Sequence, residues 1–191
     1  MDGLALPAPL PVARCKTSGR SPQKPMDEAK FEAFYKRTAG HVWSYLFRLT
    51  ANAATADDLL QKAYFRYLRS NPEIESEEQR RAYLFRTATN LVFDHFRESK
   101  RERERAREIG ASDEVHPERS EMRHDMMRAF GELKPQERAL LWLAHVEESS
   151  HDEIGEALGV KSKSVRVLLF RARKRLGEIL TKRGLGPEVT P

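Results

Sequence analysis

A short helical pattern, a glycine and a longer basic helical pattern follow one another over residues 150–176, and this stretch constrains the fold more than any other. Ser150 and Glu153 have the spacing of a reciprocal cap, which satisfies free amides at a helix start. Gly159 then supplies the left-handed residue at which a helix can end. Four apolar residues at helical spacing follow on one face of the second helix: Val165, Leu169, Ala172 and Leu176. This order is typical of a helix-turn-helix.

The charge of the second helix favours a nucleic acid as its ligand. Residues 161–183 contain nine lysines and arginines against one acid, Glu178. A solvated helix face normally mixes both signs, because like charges on neighbouring turns repel each other. An ordinary amphipathic hairpin with a solvated basic face is the alternative, but the unbalanced stripe fits a polyanion better.

The composition excludes several classes of protein. A chain of 191 residues with 39% hydrophobic and 33% charged residues indicates one or two small helical domains. Its single cysteine, Cys15, forms no disulfide framework, so we expect a reducing compartment. No apolar run approaches the ~20 residues of a membrane span, and no signal-peptide pattern is present. We therefore expect a cytoplasmic protein that is not a membrane protein.

No pattern in the sequence indicates an enzyme. The six histidines are scattered and, with one cysteine, make no metal-binding set. A phosphate loop, a nucleophile elbow and a dinucleotide fingerprint are all absent. The sequence therefore predicts no catalytic residue, no metal, no cofactor and no small-molecule substrate.

Helical patterns also precede the helix-turn-helix, and no stretch alternates like a β-strand. Residues 31–49, 59–68 and 76–96 each place apolar side chains on one helical face. Residues 97–107 mix arginines with glutamates, which indicates either a solvated helical extension or a direct DNA contact. We predict an all-α fold of two small helical bundles joined by a flexible linker. The predicted parts are a disordered tail at 1–25, which holds half of the ten prolines, a first bundle at 26–108, a linker at 109–120, a second bundle with the helix-turn-helix at 121–183 and a tail at 184–191.

Three stretches carry a family resemblance when they are taken together and in order. They are TADDLLQKAYFRYLR, RAYLFRTATNLVFDHFRESKR and the region that runs from LKPQERALLWLAH to LLFRARKRL. With the first helix they cover roughly residues 27–182, and they resemble the extracytoplasmic-function (ECF) sigma factors, the compact group of the sigma-70 family of bacterial transcription initiation factors. The resemblance implies an alternative sigma factor that directs core RNA polymerase to specific promoters and assists their melting.

In that family, the first stretch docks onto the clamp helices of the polymerase β′ subunit. The resemblance assigns this contact to Asp57, Asp58, Leu59 and Gln61. Exposed acids at a helix start also interact favourably with the helix dipole, and this alternative stays open. Lys62 departs from the family, in which an acid is usual at this position.

The second stretch resembles the segment that recognises and melts the minus-ten element. Asn90 stands where the family places an asparagine that reads an extruded base, and an amide can donate and accept in one plane, as a base edge requires. Arg80, Arg81 and Arg86 are predicted to hold the phosphates of this strand. Local hydrogen bonding by Asn90 is the alternative. Ile74 is the only large apolar residue of the preceding loop, where many members carry an aromatic residue, so the aromatic base pocket is in question.

The third stretch resembles the domain that reads the minus-thirty-five element. The predicted base contacts are Lys163, Ser164, Arg166 and Arg171, and the predicted phosphate contacts are Arg173, Lys174 and Arg175. Three neighbouring positions that are often polar in the family are apolar here: Val167, Leu168 and Phe170. Their side chains either contact thymine methyl groups, pack within the domain or meet a partner.

The resemblance also implies a set of partners. These are promoter DNA, the polymerase core through its β′ clamp helices and β flap, and an anti-sigma factor. A helix-turn-helix regulator that is not a polymerase subunit is the alternative function, and a protein whose first bundle only binds a protein partner is a third. The two stretches of the first bundle favour the sigma factor, because a plain regulator needs neither. We also expect the free chain to hold its bundles at no fixed spacing, because residues 109–120 show no packing pattern of their own.

Overall fold

The structure is a computed structural model that describes residues 27–70, 74, 76–108 and 124–185. In these ranges it consists of seven α-helices and contains no strand, which confirms the predicted all-α fold of two helical bundles. The first bundle comprises α1 (Glu28–Thr50), α2 (Ala53–Ser70) and α3 (Glu77–Glu108). The second comprises α4 (His124–Gly131), α5 (Pro135–His145), α6 (His151–Leu158) and α7 (Ser162–Lys182).

Several predicted segments lie outside the described residues. They are the tail at 1–25, the linker at 109–120, most of the tail at 184–191 and most of the loop around Ile74. Among the helices that are described, none is long and apolar enough to cross a membrane.

Aromatic rings and two buried hydroxyl pairs hold the first bundle together. The helical pattern predicts that α1 also buries Tyr35, which is 41% exposed. The side chains that α1 does bury are Phe34, Thr38, Val42, Tyr45, Leu46 and Leu49. The Tyr64 hydroxyl lies 2.7 Å from Thr38 Oγ1, and the Tyr45 hydroxyl lies 2.7 Å from Thr89 Oγ1. Burial raises the pKa of both tyrosines, that of Tyr64 to about 12. These pairs join α1 to α2 and α1 to α3, so they fix the three helices relative to each other.

The last helix of the first bundle continues well beyond its buried part. α3 runs through Glu108, so the mixed-charge residues 97–107 form a helical extension. Lys100 Nζ lies 3.7 Å from Glu104 Oε1 on the exposed surface of this extension. The structure thus shows the helical extension, and its direct contact with DNA remains an untested alternative.

The second bundle begins and ends its helices at the predicted signals. Pro135 occupies the first turn of α5, where its missing amide hydrogen is not needed. At α6, Ser150 and Glu153 form the reciprocal cap, with the Ser150 amide donating to Glu153 Oε2 at 2.7 Å. Gly159 ends α6 with a φ of 67°. The predicted helix-turn-helix of α6 and α7 is thus present.

The two bundles pack against each other, contrary to the expectation of no fixed spacing. α3 packs against α6, and α1 packs against α5. The rings of Tyr45 and Trp142 lie 6.5 Å apart across this junction. Arg138 of α5 donates from Nη1 to the Arg48 carbonyl oxygen near the end of α1 at 3.3 Å, and burial lowers its pKa. A cation at the carboxyl end of a helix satisfies a carbonyl that has no partner within the helix.

Candidate nucleic-acid interface

An exposed cationic face runs along α7. The side chains of Lys163, Arg166, Arg171, Lys174 and Arg175 are all exposed. The one acid of this helix, Glu178, lies 3.6 Å from Arg175 at its far end. The helix start therefore presents positive charge that no acid of α7 offsets, and this favours a polyanionic ligand.

Two of the residues of α7 that were predicted to contact DNA are less accessible to a ligand than the others. Ser164 is half-buried. Arg173 is exposed, but its Nε donates to His145 Nε2 of α5 at 3.1 Å. A phosphate contact by Arg173 therefore requires either release of this hydrogen bond or the use of its terminal nitrogens.

Apolar side chains interrupt the cationic face of α7. Phe170 is 66% exposed and Val167 is 50% exposed, so neither packs within the bundle. Leu168 is half-buried and packs against the core. The structure thereby separates the three apolar residues, leaving Val167 and Phe170 available to a ligand.

The predicted minus-ten residues lie on α3, and the three arginines already have partners within the chain. Arg80 donates from Nε to the Ile74 carbonyl oxygen at 3.0 Å. Arg81 is bonded to Glu147, and Arg86 is bonded to Glu156, which lies on α6. All three are half-buried. Two of the three, Arg81 and Arg86, therefore face the second bundle in this structure.

Asn90 lies four residues after Arg86, on the same side of α3. It is half-buried, and its side-chain amide makes no hydrogen bond with any residue in the described part of the chain. Local hydrogen bonding, the alternative interpretation of Asn90, thus finds no support in this arrangement.

The predicted polymerase-binding residues of α2 divide between surface and core. Asp57, Asp58 and Gln61 are exposed, and Trp43 of α1 donates to Asp57 at 2.6 Å. Leu59 is only 3% exposed and packs in the core, so its predicted place on the docking face is wrong. The reason is geometric, because Leu59 lies on the side of α2 that faces α1 and α3.

Sequence reasoning missed two apolar residues on the exposed side of α2. Phe65 is 64% exposed and Leu68 is 42% exposed. They follow Gln61 by four and seven residues, so they continue the stripe that begins at Asp58. Their helical spacing from Asp58 predicts that they share its exposed side. Both lie within the apolar run AYFRYL, however, and this run makes the spacing difficult to recognise. Large exposed apolar side chains in a stripe mark a protein-binding surface.

Lys62 also lies on this exposed side. Its ammonium group contacts Asp58 Oδ2 at 2.6 Å, one helical turn away. The substitution noted in the sequence thus places a cation directly against one of the acids of the stripe.

Within the described residues, no group of His, Cys, Asp and Glu side chains is arranged to hold a metal.

Comparison with known proteins agrees with this division into two bundles. Residues 34–102 match the family profile described as sigma-70 region 2, and residues 123–176 match that of sigma-70, region 4. The chain is 30% identical over 160 residues to the ECF RNA polymerase sigma factor SigE of Mycolicibacterium smegmatis, covering 80% of this chain and 62% of that protein. It is 29% identical over 157 residues to the RNA polymerase sigma factor CarQ of Myxococcus xanthus, covering 78% and 88%.

A solved structure shares the fold. The sigma factor RpoE from Bartonella quintana, solved in complex with the anti-sigma factor NepR, superposes with a TM-score of 0.59 at 20% identity. The superposition covers 80% of this chain and 97% of that one. At this level of identity, the likeness concerns the all-helical fold alone.

Proposed function

The chain belongs to the ECF group of the sigma-70 family, and from this membership we propose that it directs core RNA polymerase to a small set of promoters and assists their melting. The first bundle, residues 26–108, would bind the polymerase core and the minus-ten element. The second bundle, residues 121–183, would read the minus-thirty-five element. RNA synthesis itself would remain the chemistry of the polymerase, with this chain acting in the cytoplasm as a non-catalytic subunit.

The observation that carries this proposal is the presence of two different exposed surfaces on separate bundles. α7 presents a cationic face that suits duplex DNA, and α2 presents an acidic and apolar stripe that suits a protein. A regulator that only binds DNA needs the first surface and not the second.

At the minus-thirty-five element, α7 would lie in the major groove. Arg166 and Arg171 would read base edges together with Lys163 and Ser164, because an arginine can bond a guanine through two hydrogen bonds. Arg173, Lys174 and Arg175 would contact phosphates, which set register and affinity but not sequence. Val167 and Phe170 would contact thymine methyl groups, which are the apolar features of the major groove.

At the minus-ten element, α3 would receive an opened strand. Asn90 would bond the Watson–Crick edge of an extruded base, since its amide has no partner among the described residues. Arg80, Arg81 and Arg86 would hold the phosphates on either side. This assignment requires the second bundle to move away from α3, because Arg81 and Arg86 are bonded to its glutamates.

At the polymerase, the stripe on α2 would meet the clamp helices of β′. Asp57, Asp58 and Gln61 supply its polar part, and Phe65 and Leu68 supply its apolar part. The second bundle would contact the β flap. We also propose an anti-sigma factor as a partner, because the solved structure with this fold is a complex with one.

Transcription in vitro tests the proposal directly. Sigma-free core polymerase and this chain are incubated with genomic fragments, and the transcripts identify promoters. Permanganate reactivity of thymines near each start site then reports strand opening with and without core. We expect specific transcripts, and opening only when both proteins are present. Tight sequence-specific footprints by the free chain, with no opening when core is added, would support the regulator instead.

A further inference from the structure

Arg173 and Arg175 of α7 have partners of different chemical kinds. Arg175 lies 3.6 Å from Glu178, an acid that offsets the charge of the arginine. Arg173 donates instead from Nε to Nε2 of His145 at 3.1 Å. Within the part of the chain that the structure describes, no acid pairs with Arg173. Arg173 is therefore oriented by a neighbour without an ion pair.

The hydrogen bond fixes the chemical form of His145. An arginine side chain stays protonated in proteins, so its Nε can only donate. Nε2 of His145 must therefore offer a lone pair, which requires a neutral ring that carries its proton on Nδ1. A neutral acceptor orients the guanidinium group and leaves its positive charge uncompensated.

The packing of α5 against α7 sets the distance between these two side chains. His145 is the last residue of α5, and α5 packs against α7. Leu143, two residues before His145, and Ala172, directly before Arg173, are both buried. His145 and Arg173 are themselves exposed. The pair thus lies at the solvent edge of a packed helix contact, where a ligand can reach it.

We propose that His145 is a positioning residue for duplex DNA: it holds Arg173 so that the two terminal nitrogens of the guanidinium group bond a phosphate at full charge. The bond from Nε occupies one edge of the guanidinium group, and Nη1 and Nη2 remain as the pair of donors that suits phosphate oxygens. An arginine that is already oriented loses less conformational freedom on binding. The inference rests on the proposed phosphate contact of Arg173.

Duplex binding by the full chain tests this role without a promoter. The probe is a short duplex of random sequence, titrated at several salt concentrations, because phosphate contacts carry no sequence information. Arg173→Ala should weaken binding and lower the salt slope by about 0.9, the value of one phosphate contact. His145→Ala should weaken binding about two- to tenfold, since the DNA must then order Arg173 itself. Unchanged affinity in His145→Ala would overturn the proposal.

A double-mutant cycle separates positioning from a direct effect of the histidine. His145→Ala is repeated in the Arg173→Ala background, where no arginine is left to position. We expect no further loss of affinity in this background. The same loss in both backgrounds would show that His145 acts on the DNA or on the fold by itself, and it would refute the positioning role.

Three more substitutions at His145 vary the acceptor and its charge. His145→Gln places a carbonyl oxygen near the position of Nε2 and should restore the parent affinity, whereas the shorter His145→Asn should behave like His145→Ala. His145→Glu should form an ion pair with Arg173 and lower the salt slope by about one phosphate contact. Circular dichroism confirms that each variant keeps its helices. A His145→Gln variant that binds as weakly as His145→Ala would contradict the proposal.

The partner of Arg175 provides a matched contrast on the same helix. Glu178→Gln removes the acid that offsets Arg175, so binding should tighten and the salt dependence should steepen. Loss of the partner thus has opposite effects at Arg173 and Arg175. Weaker binding by Glu178→Gln would indicate that any loss of an arginine partner lowers affinity, and it would argue against a special role of His145.

Nitrogen chemical shifts of the imidazole test the free chain without DNA. At a pH at which the ring is neutral, we expect the proton of His145 on Nδ1, and Arg173→Ala should release this preference. A neutral ring protonated on Nε2 in the parent would overturn the proposal. Loss of promoter-specific transcripts with an intact mutant cycle would remove the promoter function alone, whereas a cycle without coupling in a chain that supports transcription would remove the positioning role alone.

Discussion

Arg166 and Lys174 lie on the same exposed face of α7, about two turns apart, but they are expected to act differently. Arg166→Ala should cost ~1–3 kcal/mol of binding and relax specificity at one base position, because a two-bond contact with a base is lost. Lys174→Ala should weaken binding to all sequences and flatten the salt dependence, because it removes one phosphate contact. Titration of matched and scrambled minus-thirty-five duplexes at several salt concentrations measures both. Equal losses on the two duplexes for Arg166→Ala would show that it does not read a base.

Tyr64 makes the stability of the first bundle sensitive to alkali. Burial raises its pKa from 10.0 to about 12, although the hydrogen bond with Thr38 lowers it. Because the folded-state value lies above the unfolded one, the contribution of Tyr64 is fully present below pH 10 and is lost as the pH rises through 12. Tyr64→Phe should cost about 1 kcal/mol at pH 7 and show a shallower loss of stability above pH 10. Urea unfolding at pH 7, 10 and 11 tests this, and parallel pH profiles for the parent and variant would contradict it.

Two glycines in the second bundle give opposite expectations for the same substitution. A Cβ on Gly155 would lie 2.9 Å from the Val160 carbonyl oxygen, where the turn of the helix-turn-helix passes close to α6. Gly155→Ala should therefore destabilise the chain by ~1–3 kcal/mol, because backbone must move. Gly177 of α7 has open space around it, and Gly177→Ala should stabilise the chain by ~0.5–1 kcal/mol through helix propensity. Thermal unfolding compares the two, and a stabilised Gly155→Ala variant would show that the turn can relax.

The exposed stripe of α2 can be tested by reversing one charge. Asp58→Lys replaces an ion pair with Lys62 by a repulsion, which should change folding by less than ~1 kcal/mol. Core-polymerase binding should fall far more, because the new cation would face basic groups of the partner. Glu32→Lys is the matched control, since Glu32 forms the same type of ion pair with Lys36 on α1. Co-purification with core enzyme measures the effect, and equal retention of both variants would show that α2 is not the docking surface.

The ends of the helices were well predicted from the sequence because local chemistry sets them. The cap at Ser150 and the left-handed Gly159 involve only neighbouring residues. The buried side of α3 was predicted less well, since the helical pattern predicts a face of Ala82, Phe85, Ala88, Thr89, Val92 and Phe96, whereas Leu84, Leu91 and Phe93 are buried as well. α3 packs against α6 as well as against α1 and α2, and no local sequence pattern predicts the additional contact with α6.

At the scale of the whole molecule, the contact between the bundles is the feature that sequence reasoning could not supply. Its ion pairs join Arg81 to Glu147 and Arg86 to Glu156, which are 66 and 70 residues apart. Charged residues at such separations pair only when the packing of apolar groups brings them together. The exposed stripe on α2 was predicted in part, because Asp58 and Gln61 were identified from the sequence but the exposure of Phe65 depends on how α2 packs.

Trp142 allows the coupling between the bundles to be measured. Trp142→Ala removes the ring contact with Tyr45 and the donor to Glu147, and should cost roughly 2 kcal/mol. Because Tyr45 belongs to the first core, amide exchange should accelerate in α1 as well as in α5. Trp43→Ala is the matched control: Trp43 stacks on Phe47 within α1, so its loss should leave exchange in α5 and α6 unchanged. Exchange that accelerates only in the second bundle in Trp142→Ala would show that the bundles are energetically independent.

The proposed duplex binding by α7 also implies where the protein would reside between rounds of transcription. Exposed cations such as those of α7 attract any duplex, and weak sequence-independent binding lets a protein slide and hop along it. Molecules that have not met polymerase would therefore accumulate on the chromosome as a mobile reservoir. Their supply to polymerase would then depend on how long each one stays on random sequence, and added salt would enlarge the dissolved pool at the expense of the bound one.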